Sequence, residues 1–331
     1  MIPETKQPAV KHALQAAFGV SEYEDIRLMT AGLSSTLVFR IVMRGTPYLL
    51  RIITRTDAMN DPTRQFDCMK AAAGAGLAPR IWYMNIEDRI SITDFVEVRP
   101  FPMEEAKTRL PDLLRRLHSL PPFPRLIRYF DSVDNFIQKF RDAEILPESK
   151  TEELFRGFAR IVDANPQEDQ ELVSCHNDLK PENILFDGAQ PWLVDWEAAY
   201  LNNRYADLGV VANFVVKNDQ DEEDFLRIYF GEAAGDYRQA RFFLMRQVLH
   251  IFYFVVFMLF GSKGKPVEPA MEKPDFRDFH NRIWAGEISL ADDGAKLQYV
   301  WVHMEQALHN MRTKRFEDAL GIVSHFPQYF P

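Results

Sequence analysis

Short runs of alternating apolar and polar residues fill the first third of the chain. A period of two is typical of strands that bury one face. The runs predict strands at Ile26–Met29, Thr36–Met43, Tyr48–Ile53, Arg80–Met84 and Arg89–Phe95, with a hairpin loop at Arg44–Pro47. Helical spacing is seen at residues 8–19, which end at Gly19, and at 62–75, which Gly76 closes. A small, mostly antiparallel lobe of strands around one main helix is therefore expected.

After Pro102 the spacing of apolar residues becomes helical. The predicted helices are 103–119, 132–144, 150–163, 221–230, 238–260, 275–285 and 291–322. One strand-rich interruption, from Val173 to Trp196, lies among them and holds a polar loop. The pattern predicts an α+β protein with two domains, at 1–95 and 96–331, of which the second is large and helical.

The most apolar segment of the chain is Ile251–Phe260. A helix that spans a bilayer needs roughly 20 apolar residues, and this segment is much shorter. We interpret it as a helix buried on most sides, so no membrane insertion is expected. The first residues also lack the apolar stretch of a signal peptide, which favours a cytoplasmic protein.

Charge and cysteine content limit the partners. The chain has 39 basic and 48 acidic residues, a net charge of −9, and no basic tract. Nucleic-acid binding needs clustered positive charge, so that class of partner is not expected. Cys68 and Cys175 are far apart in sequence and offer neither a metal-binding spacing nor a disulfide framework, which indicates reduced thiols. These features leave the oligomeric state open.

The strand-rich interruption carries the most informative polar residues. It contains SCHNDLKPENILF from Ser174, and PWLVDWE follows from Pro191. Phosphoryl transfer needs an oriented acceptor hydroxyl, metal ions that neutralise the phosphates, and fixed charges. Asp178, Asn183 and Asp195 supply a carboxylate, an amide and a second carboxylate, and the flanking apolar strands make an accidental match a weak explanation.

This arrangement resembles the catalytic loop of kinases, His-x-Asp-x4-Asn, and Asp195 stands where protein kinases carry the aspartate of Asp-Phe-Gly. By this resemblance Asp178 accepts or orients the proton of the acceptor hydroxyl. Asn183 and Asp195 would bind Mg²⁺, which prefers oxygen ligands. Lys180 would neutralise the γ-phosphate, and His176 would brace the loop.

The longer pattern is similar to the choline/ethanolamine kinase branch of the aminoglycoside phosphotransferase-like enzymes. CHNDLKPENIL from Cys175, VDWEAAY from Val194 and YADLG from Tyr205 carry this resemblance most specifically. TDFVE from Thr93 and LLRRLHSL from Leu113 match the family's hinge and linker helix more loosely. The resemblance implies a protein-kinase-like, two-lobed fold and an enzyme that uses ATP and Mg²⁺ to phosphorylate a small-molecule alcohol.

The same resemblance implies a nucleotide site in the first lobe. Adenine is expected against the hinge backbone at Asp94 and Val96. Residues 31–35, AGLSS, resemble the family's phosphate loop, and an ordinary turn is the alternative. The residues of this loop expected to contact phosphate are Gly32, Ser34 and Ser35.

Arg51 stands where most kinases have the lysine that binds the α- and β-phosphates, and it keeps the positive charge. Its partner on the first-lobe helix is open among Gln65, Asp67 and Asp61, and a cross-strand surface charge is the alternative for Arg51 itself. Asp207 is expected to accept backbone N–H groups of the catalytic loop, or otherwise to cap a helix.

The acceptor is the least determined part of the site. Glu197, Trp196 and Tyr200 are candidate substrate residues, because choline kinases use aromatic faces and a carboxylate to hold a quaternary ammonium. Core packing is the alternative for the aromatic residues. Residues 209–217 lack the carboxylate that choline kinases carry in this region, so an amino alcohol, an aminoglycoside and a sugar all stay open. The acidic run at 219–224 would suit an aminoglycoside, or would cap the next helix.

Two other classes of function are retained as alternatives. A protein kinase is the poorer alternative, because the chain lacks Asp-Phe-Gly, Ala-Pro-Glu and Gly-x-Gly-x-x-Gly. A catalytically idle nucleotide-binding module is suggested by the departures from the family pattern at Ser35 and Gln65.

Replacement of Asp178 tests the central assignment. Asp178→Asn keeps the shape of the side chain but cannot accept a proton, so turnover should fall by roughly 100-fold to 10,000-fold. Nucleotide binding, measured in parallel, should stay nearly unchanged. Equal turnover in the variant and the wild type would contradict the role of Asp178.

Overall fold

The computed structural model describes residues 2–29, 36–55, 61–165, 171–267 and 274–325. The chain divides into two units. Unit 1 comprises Met1–Phe101, Leu120–Pro124 and Glu182–Tyr200, and unit 2 comprises Pro102–Ser119, Arg125–Pro181 and Leu201–Pro331. The candidate phosphate-loop residues Gly32, Ser34 and Ser35 lie outside the described residues.

The described elements alternate between strands and helices at first and become mainly helical later. The first are α1 (Gln7–Phe18), β1 (Asp25–Leu28), β2 (Thr36–Met43), β3 (Thr46–Ile53), α2 (Thr63–Gly74), β4 (Ile81–Asn85) and β5 (Ile90–Asp94). The middle of the chain forms α3 (Met103–His118), α4 (Tyr129–Asp142), α5 (Glu152–Ala164), β6 (Leu172–Cys175), β7 (Ile184–Phe186), β8 (Pro191–Leu193) and β9 (Tyr200–Asn203). The last are α6 (Arg204–Val215), α7 (Asp219–Phe230), α8 (Asp236–Ser262), α9 (Phe276–Trp284), α10 (Asp293–Met311) and α11 (Lys314–His325).

The main sheet of unit 1 has five antiparallel strands in the order β1-β2-β3-β5-β4. The predicted strands and the helix ends near Gly19 and Gly76 are confirmed to within one or two residues. The hairpin loop is shorter than predicted, because only Arg44 and Gly45 separate β2 from β3. Both have positive φ, 51° and 74°, which a two-residue hairpin turn requires.

The alternation of side chains along β3 determines the face on which Arg51 lies. Leu50 and Ile52 are fully buried in a core formed with α1, β2 and β5. Successive side chains of a strand point to opposite faces, so Arg51 lies on the face away from that core. Its register partners are Val38 on β2 and Ser91 on β5.

Two predictions for the helical region are wrong. Residues 204–215 form α6, which was not predicted, because Tyr205 to Val215 are all buried and therefore show no amphipathic period. The single helix predicted at 291–322 is two helices, α10 and α11, separated at Arg312 and Thr313. The Thr313 hydroxyl donates to the carbonyl of Asn310 at 2.6 Å near the end of α10.

The apolar segment Ile251–Phe260 is only the second half of α8, which has 27 residues. By length and composition α8 could cross a membrane, with a mean hydropathy of 1.9 over its most apolar 18 residues. The apolar segment identified in the sequence is therefore much shorter than the helix that contains it. Burial supports the interpretation of α8 as a core helix, because 72% of these 18 residues are buried within the protein.

Three buried histidines lie among the helices of unit 2. His250 on α8, His280 on α9 and His303 on α10 are fully buried. The Nδ1 atoms of His250 and His303 are 2.8 Å apart, and Nδ1 of His280 donates to the carbonyl of Phe276 at 2.8 Å. Burial lowers the pKa of His280 to about 3 and lowers the pKa values of His250 and His303 well below the usual range. All three rings are therefore neutral in the folded protein at neutral pH.

Acid should unfold unit 2 through these histidines. Unfolded histidine has a pKa near ~6.5, so below that pH the unfolded state binds protons that the folded state does not. Between about pH 6.5 and pH 3, His280 should lower the free energy of unfolding by roughly 1.4 kcal/mol per pH unit. Urea unfolding of the wild type and His280→Asn at several pH values measures this slope. The exposed His309→Asn is the control, and equal slopes in all three proteins would contradict the prediction.

Candidate functional site

The loop that follows β6 presents Asp178 and Lys180 in unit 2. Both side chains are partly exposed, and Lys180 Nζ donates to Asp178 Oδ2 at 2.8 Å. His176, two residues before Asp178, is fully buried. The structure thus brings Asp178 and Lys180 together as an ion pair and leaves His176 in the protein interior.

The carboxylate of Asp207 fixes the backbone of this loop. Asp207 lies in the first turn of α6 and is fully buried. Its Oδ2 accepts from the backbone N–H of His176 at 2.8 Å, and its Oδ1 accepts from that of Asn177 at 2.7 Å. The expectation that Asp207 binds the backbone of the catalytic loop is confirmed, and Asp178 is the next residue after the two that are held.

Further side chains surround Asp207 and the loop. Nε2 of His118 lies 3.2 Å from Asp207 Oδ2, and Nδ1 of His118 lies 2.7 Å from the hydroxyl of Tyr229. The side-chain amide of Asn202 on β9 donates to Asn177 Oδ1 at 2.6 Å. Asp207 therefore holds the backbone of the loop, and Asn202 holds the side chain of Asn177.

In unit 1 the β7–β8 hairpin sets the positions of Asn183 and Asp195. Ile184 pairs with Leu193, and the N–H of Val194 donates to the carbonyl of Asn183 at 3.0 Å. Asn183 precedes one strand and Asp195 follows the other, so both residues lie at the same end of the hairpin. The amide of Asn183 is buried, and the carboxylate of Asp195 is partly exposed.

Arg51 contacts Asp195 and Glu197. Its Nη2 lies 3.1 Å from Asp195 Oδ1 and 3.2 Å from Glu197 Oε1, and its side chain is 16% exposed. Within the described residues its hydrogen bonds go to these carboxylates and not to Gln65, Asp67 or Asp61. Arg51 is thus a largely buried, paired cation and not a surface charge.

Two residues of the site have a strained backbone. Asn177 and Asp195 have φ values of 65° and 66°, which side-chain-bearing residues rarely adopt. The other described non-glycine residues with positive φ lie in hairpin turns or at helix ends: Arg44, Arg89, Glu144 and Lys263. Strain of this kind collects at functional sites and is kept only where neighbouring contacts enforce it.

The hinge candidates differ in their backbone contacts. The N–H of Asp94 donates to the carbonyl of Arg80 at 2.9 Å, and its carboxylate accepts from Trp82 Nε1 at 2.7 Å. Within the described residues, no hydrogen bond uses the backbone of Val96, which is half-buried. Of these two candidates, Asp94 thus uses its backbone N–H within the sheet and Val96 does not.

The candidate acceptor residues divide into buried and exposed members. Trp196 is 1% exposed and packs edge-on against Phe123, and Tyr200 is also buried, which supports core packing for both. Glu197 is partly exposed and paired with Arg51.

The acidic run at 219–224 forms the start of α7. Asn218 caps this helix, and Asp221 forms an ion pair with Lys107 at 3.2 Å. Glu222 is buried and is paired with Arg246 and Arg315. The helix-capping interpretation therefore fits the run better than an open acidic surface does.

Sequence reasoning missed two contributors to the site. Arg64 on α2 donates to the backbone carbonyls of Glu197, at 2.8 Å, and Ala199, and so fixes the turn after Asp195. The sequence predicted no separate role for His118 within LLRRLHSL. The sequence feature that could have identified it is its position on the buried face of an amphipathic helix, directly after Leu117. A buried polar side chain needs a hydrogen-bond partner.

A sheet-rich unit in which Arg51 pairs with Asp195, and a helical unit in which Asp207 braces the loop before Asp178, define a kinase-like fold of the phosphotransferase class. The model of the phosphotransferase enzyme family, APH, matches residues 25–243. The chain belongs to this family.

Particular relatives are more distant. Protein LicA from two Haemophilus influenzae sources is 26% and 25% identical over 132 residues, which are 40% of this chain but only 37% and 46% of those proteins. A choline/ethanolamine kinase family protein from Mesorhizobium loti has a TM-score of 0.70 at 20% identity, over 96% of this chain and 99% of that chain. A spectinomycin phosphotransferase, solved with ADP and spectinomycin, has a TM-score of 0.56 at 12% identity, over 96% and 97%. These structures share the fold.

Loss of one carboxylate oxygen at Asp207 should destabilise unit 2. Asp207→Asn places an N–H donor against a buried backbone N–H, which should cost roughly 2–4 kcal/mol in the free energy of unfolding. Urea unfolding at pH 7 measures the loss. Asp278→Asn, in the exposed first turn of α9, is the matched control and should cost under about 1 kcal/mol. Similar losses in the two variants would contradict the bracing role.

Proposed function

We propose that this protein transfers the γ-phosphoryl group of ATP to a hydroxyl of a small molecule. The observation that carries the proposal is the geometry of the loop at 176–180. The buried carboxylate of Asp207 accepts two backbone N–H groups of this loop, and the side chain of Asp178 is partly exposed. Phosphoryl transfer depends mainly on positioning and electrostatics, and a rigid loop with a partly exposed carboxylate supplies both.

Asp178 orients the acceptor hydroxyl and takes its proton as the bond to phosphorus forms. Lys180, now 2.8 Å from Asp178 Oδ2, carries a positive charge that suits the phosphoryl oxygens. When ATP binds, Lys180 leaves its ion pair with Asp178 and contacts a phosphate oxygen instead. Asp178 can then accept a hydrogen bond from the acceptor hydroxyl. His176 takes no part in the chemistry and fills the core beneath the loop.

Asn183 and Asp195 fit a Mg²⁺ site. They lie at one end of the same hairpin and offer an amide oxygen and a carboxylate, the hard donors that Mg²⁺ prefers. Bound Mg²⁺ would supply positive charge to the phosphates. Arg51 serves the α- and β-phosphates, and Asp195 and Glu197 keep its guanidinium in place before nucleotide binds. The backbone of Val96 serves adenine.

The acceptor is proposed to be a small molecule that carries a hydroxyl group, such as a sugar, an aminoglycoside or an amino alcohol. The relatives with named acceptors point to these chemistries, namely choline or ethanolamine and spectinomycin. A quaternary ammonium is disfavoured, because Trp196 and Tyr200 are buried. In addition, Asn213 on α6 contacts Arg246 and Arg277, which are cations, and residues 209–217 offer no carboxylate.

A screen for ADP release identifies the acceptor. The protein is incubated with MgATP and a library of sugars, amino alcohols, choline and aminoglycosides, and ADP and phosphorylated product are measured. Acceptor-dependent ADP release that Asp178→Asn abolishes supports the proposal. Transfer only to generic protein substrates would support a protein kinase, and nucleotide binding without any transfer would support an idle module. Choline as the preferred acceptor would contradict the charge argument.

Metal binding should depend on the nucleotide. One carboxylate and one amide are too few ligands for a protein-only Mg²⁺ site, so calorimetry should find weak binding without ATP and much tighter binding with it. Asp195→Ala should abolish the nucleotide-dependent gain and lower turnover by at least about 100-fold. The exposed Asp67→Ala in the same unit is the control and should change neither. Submicromolar Mg²⁺ affinity without nucleotide, or full activity of Asp195→Ala, would contradict this site.

A further inference from the structure

A continuous line of buried hydrogen bonds in unit 2 runs from α7 to the loop that carries Asp178. It begins at the Tyr229 hydroxyl, passes through both ring nitrogens of His118 on α3, and reaches Asp207 on α6, which holds the backbone of residues 176 and 177. We propose that His118 and Tyr229 are positioning residues that fix the conformation of the Asp178 loop through Asp207. The effect on turnover rests on the proposed phosphotransferase activity, whereas the effect on the loop does not.

The partners fix the direction of each hydrogen bond. Both oxygens of Asp207 accept from backbone N–H groups, so the group facing Oδ2 from His118 must donate, which places a proton on Nε2. A ring that carries its proton on Nε2 has a lone pair on Nδ1, and this atom accepts the hydroxyl proton of Tyr229.

Because the hydrogen-bonded residues are buried, each of them contributes to holding the loop. His118, Tyr229 and Asp207 are all buried, so a lost partner is not replaced by bulk water. Without the N–H of His118, Asp207 keeps its two backbone donors but loses the third contact that restrains its carboxylate. Asn177, at φ 65°, depends on that carboxylate to keep its strained backbone, and Asp178 follows it directly. Small rotations of Asp207 would therefore move Asp178.

A metal ion is the competing explanation for this cluster. Ligand atoms of His118, Cys175 and Asp207 all lie within 4.8 Å of one another. The hydrogen bonds oppose this explanation, because Nε2 of His118 points its proton at Asp207 and both oxygens of Asp207 are engaged. Burial also raises the pKa of the Cys175 thiol well above the usual range, so the thiolate that metals bind is disfavoured. Cys175 Sγ instead lies 3.6 Å from the carbonyl of Asn202.

Three variants and a matched control test the proposal. His118→Ala removes the donor to Asp207, His118→Gln restores a donor at a similar reach, and Tyr229→Phe removes only one hydroxyl and should fold. Tyr205→Phe is the control, because it makes the same chemical change at another fully buried tyrosine of unit 2. Amide hydrogen exchange over residues 174–180 and the kinetic constants kcat and KM are measured for each.

Faster exchange of the His176 and Asn177 amides in His118→Ala, by about 10-fold or more, is expected, with a smaller increase in Tyr229→Phe. The value of kcat should fall by roughly 10-fold to 100-fold in His118→Ala, with the KM for ATP within about two-fold, and His118→Gln should recover most of the loss. Tyr205→Phe should match the wild type in both measurements.

Several results would overturn the proposal. They are unchanged exchange in both His118→Ala and Tyr229→Phe, equal effects in Tyr205→Phe, a loss of kcat without faster exchange, or one equivalent of bound zinc that His118→Ala removes. A wild type that transfers no phosphate would refute the proposed function. The exchange measurements would still decide the role of His118 and Tyr229, so the two failures are distinguishable.

Discussion

The geometry of the helical unit depends on one buried carboxylate. Asp207 accepts two consecutive backbone N–H groups, those of His176 and Asn177, and so holds a left-handed residue directly before Asp178. Its position in the first turn of α6 also favours its negative charge, because the positive end of the helix dipole lies there. A non-glycine residue rarely keeps a left-handed conformation without such contacts. The Asp207 side chain therefore fixes the backbone conformation of the polar loop.

The sheet-rich unit uses a different device for the same purpose. Strand parity places Arg51 on the face opposite the apolar core, and the pairing of Ile184 with Leu193 places Asn183 and Asp195 at one end of a short hairpin. Arg51 then forms ion pairs with two carboxylates that lie together near it, those of Asp195 and Glu197. Register thus orients each charged side chain on its own strand or hairpin, and the packing of these elements brings the opposite charges within 3.1 to 3.2 Å.

Much of the fold follows from local patterns. The alternation in β2 and β3, the glycine at the end of α1 and the long amphipathic helices all depend on residues close in sequence, and these predictions are confirmed. Helix α6 escaped prediction because burial on every side removes the periodic signal. The break at Arg312 and Thr313 escaped it because neither glycine nor proline marks that position.

The sequence by itself determined the chemical inventory: an aspartate, a lysine, an amide and a second aspartate in kinase order, and a second-lobe aspartate near the catalytic loop. Only the tertiary structure decided the partners. Arg51 pairs with Asp195, 144 residues away, and not with its neighbours on α2, while Trp196 and Tyr200 are core residues. His118 meets Asp207 across 89 residues. Spacing along the chain reports which residues share a face, whereas the partner that meets a face is set by the packing of distant elements.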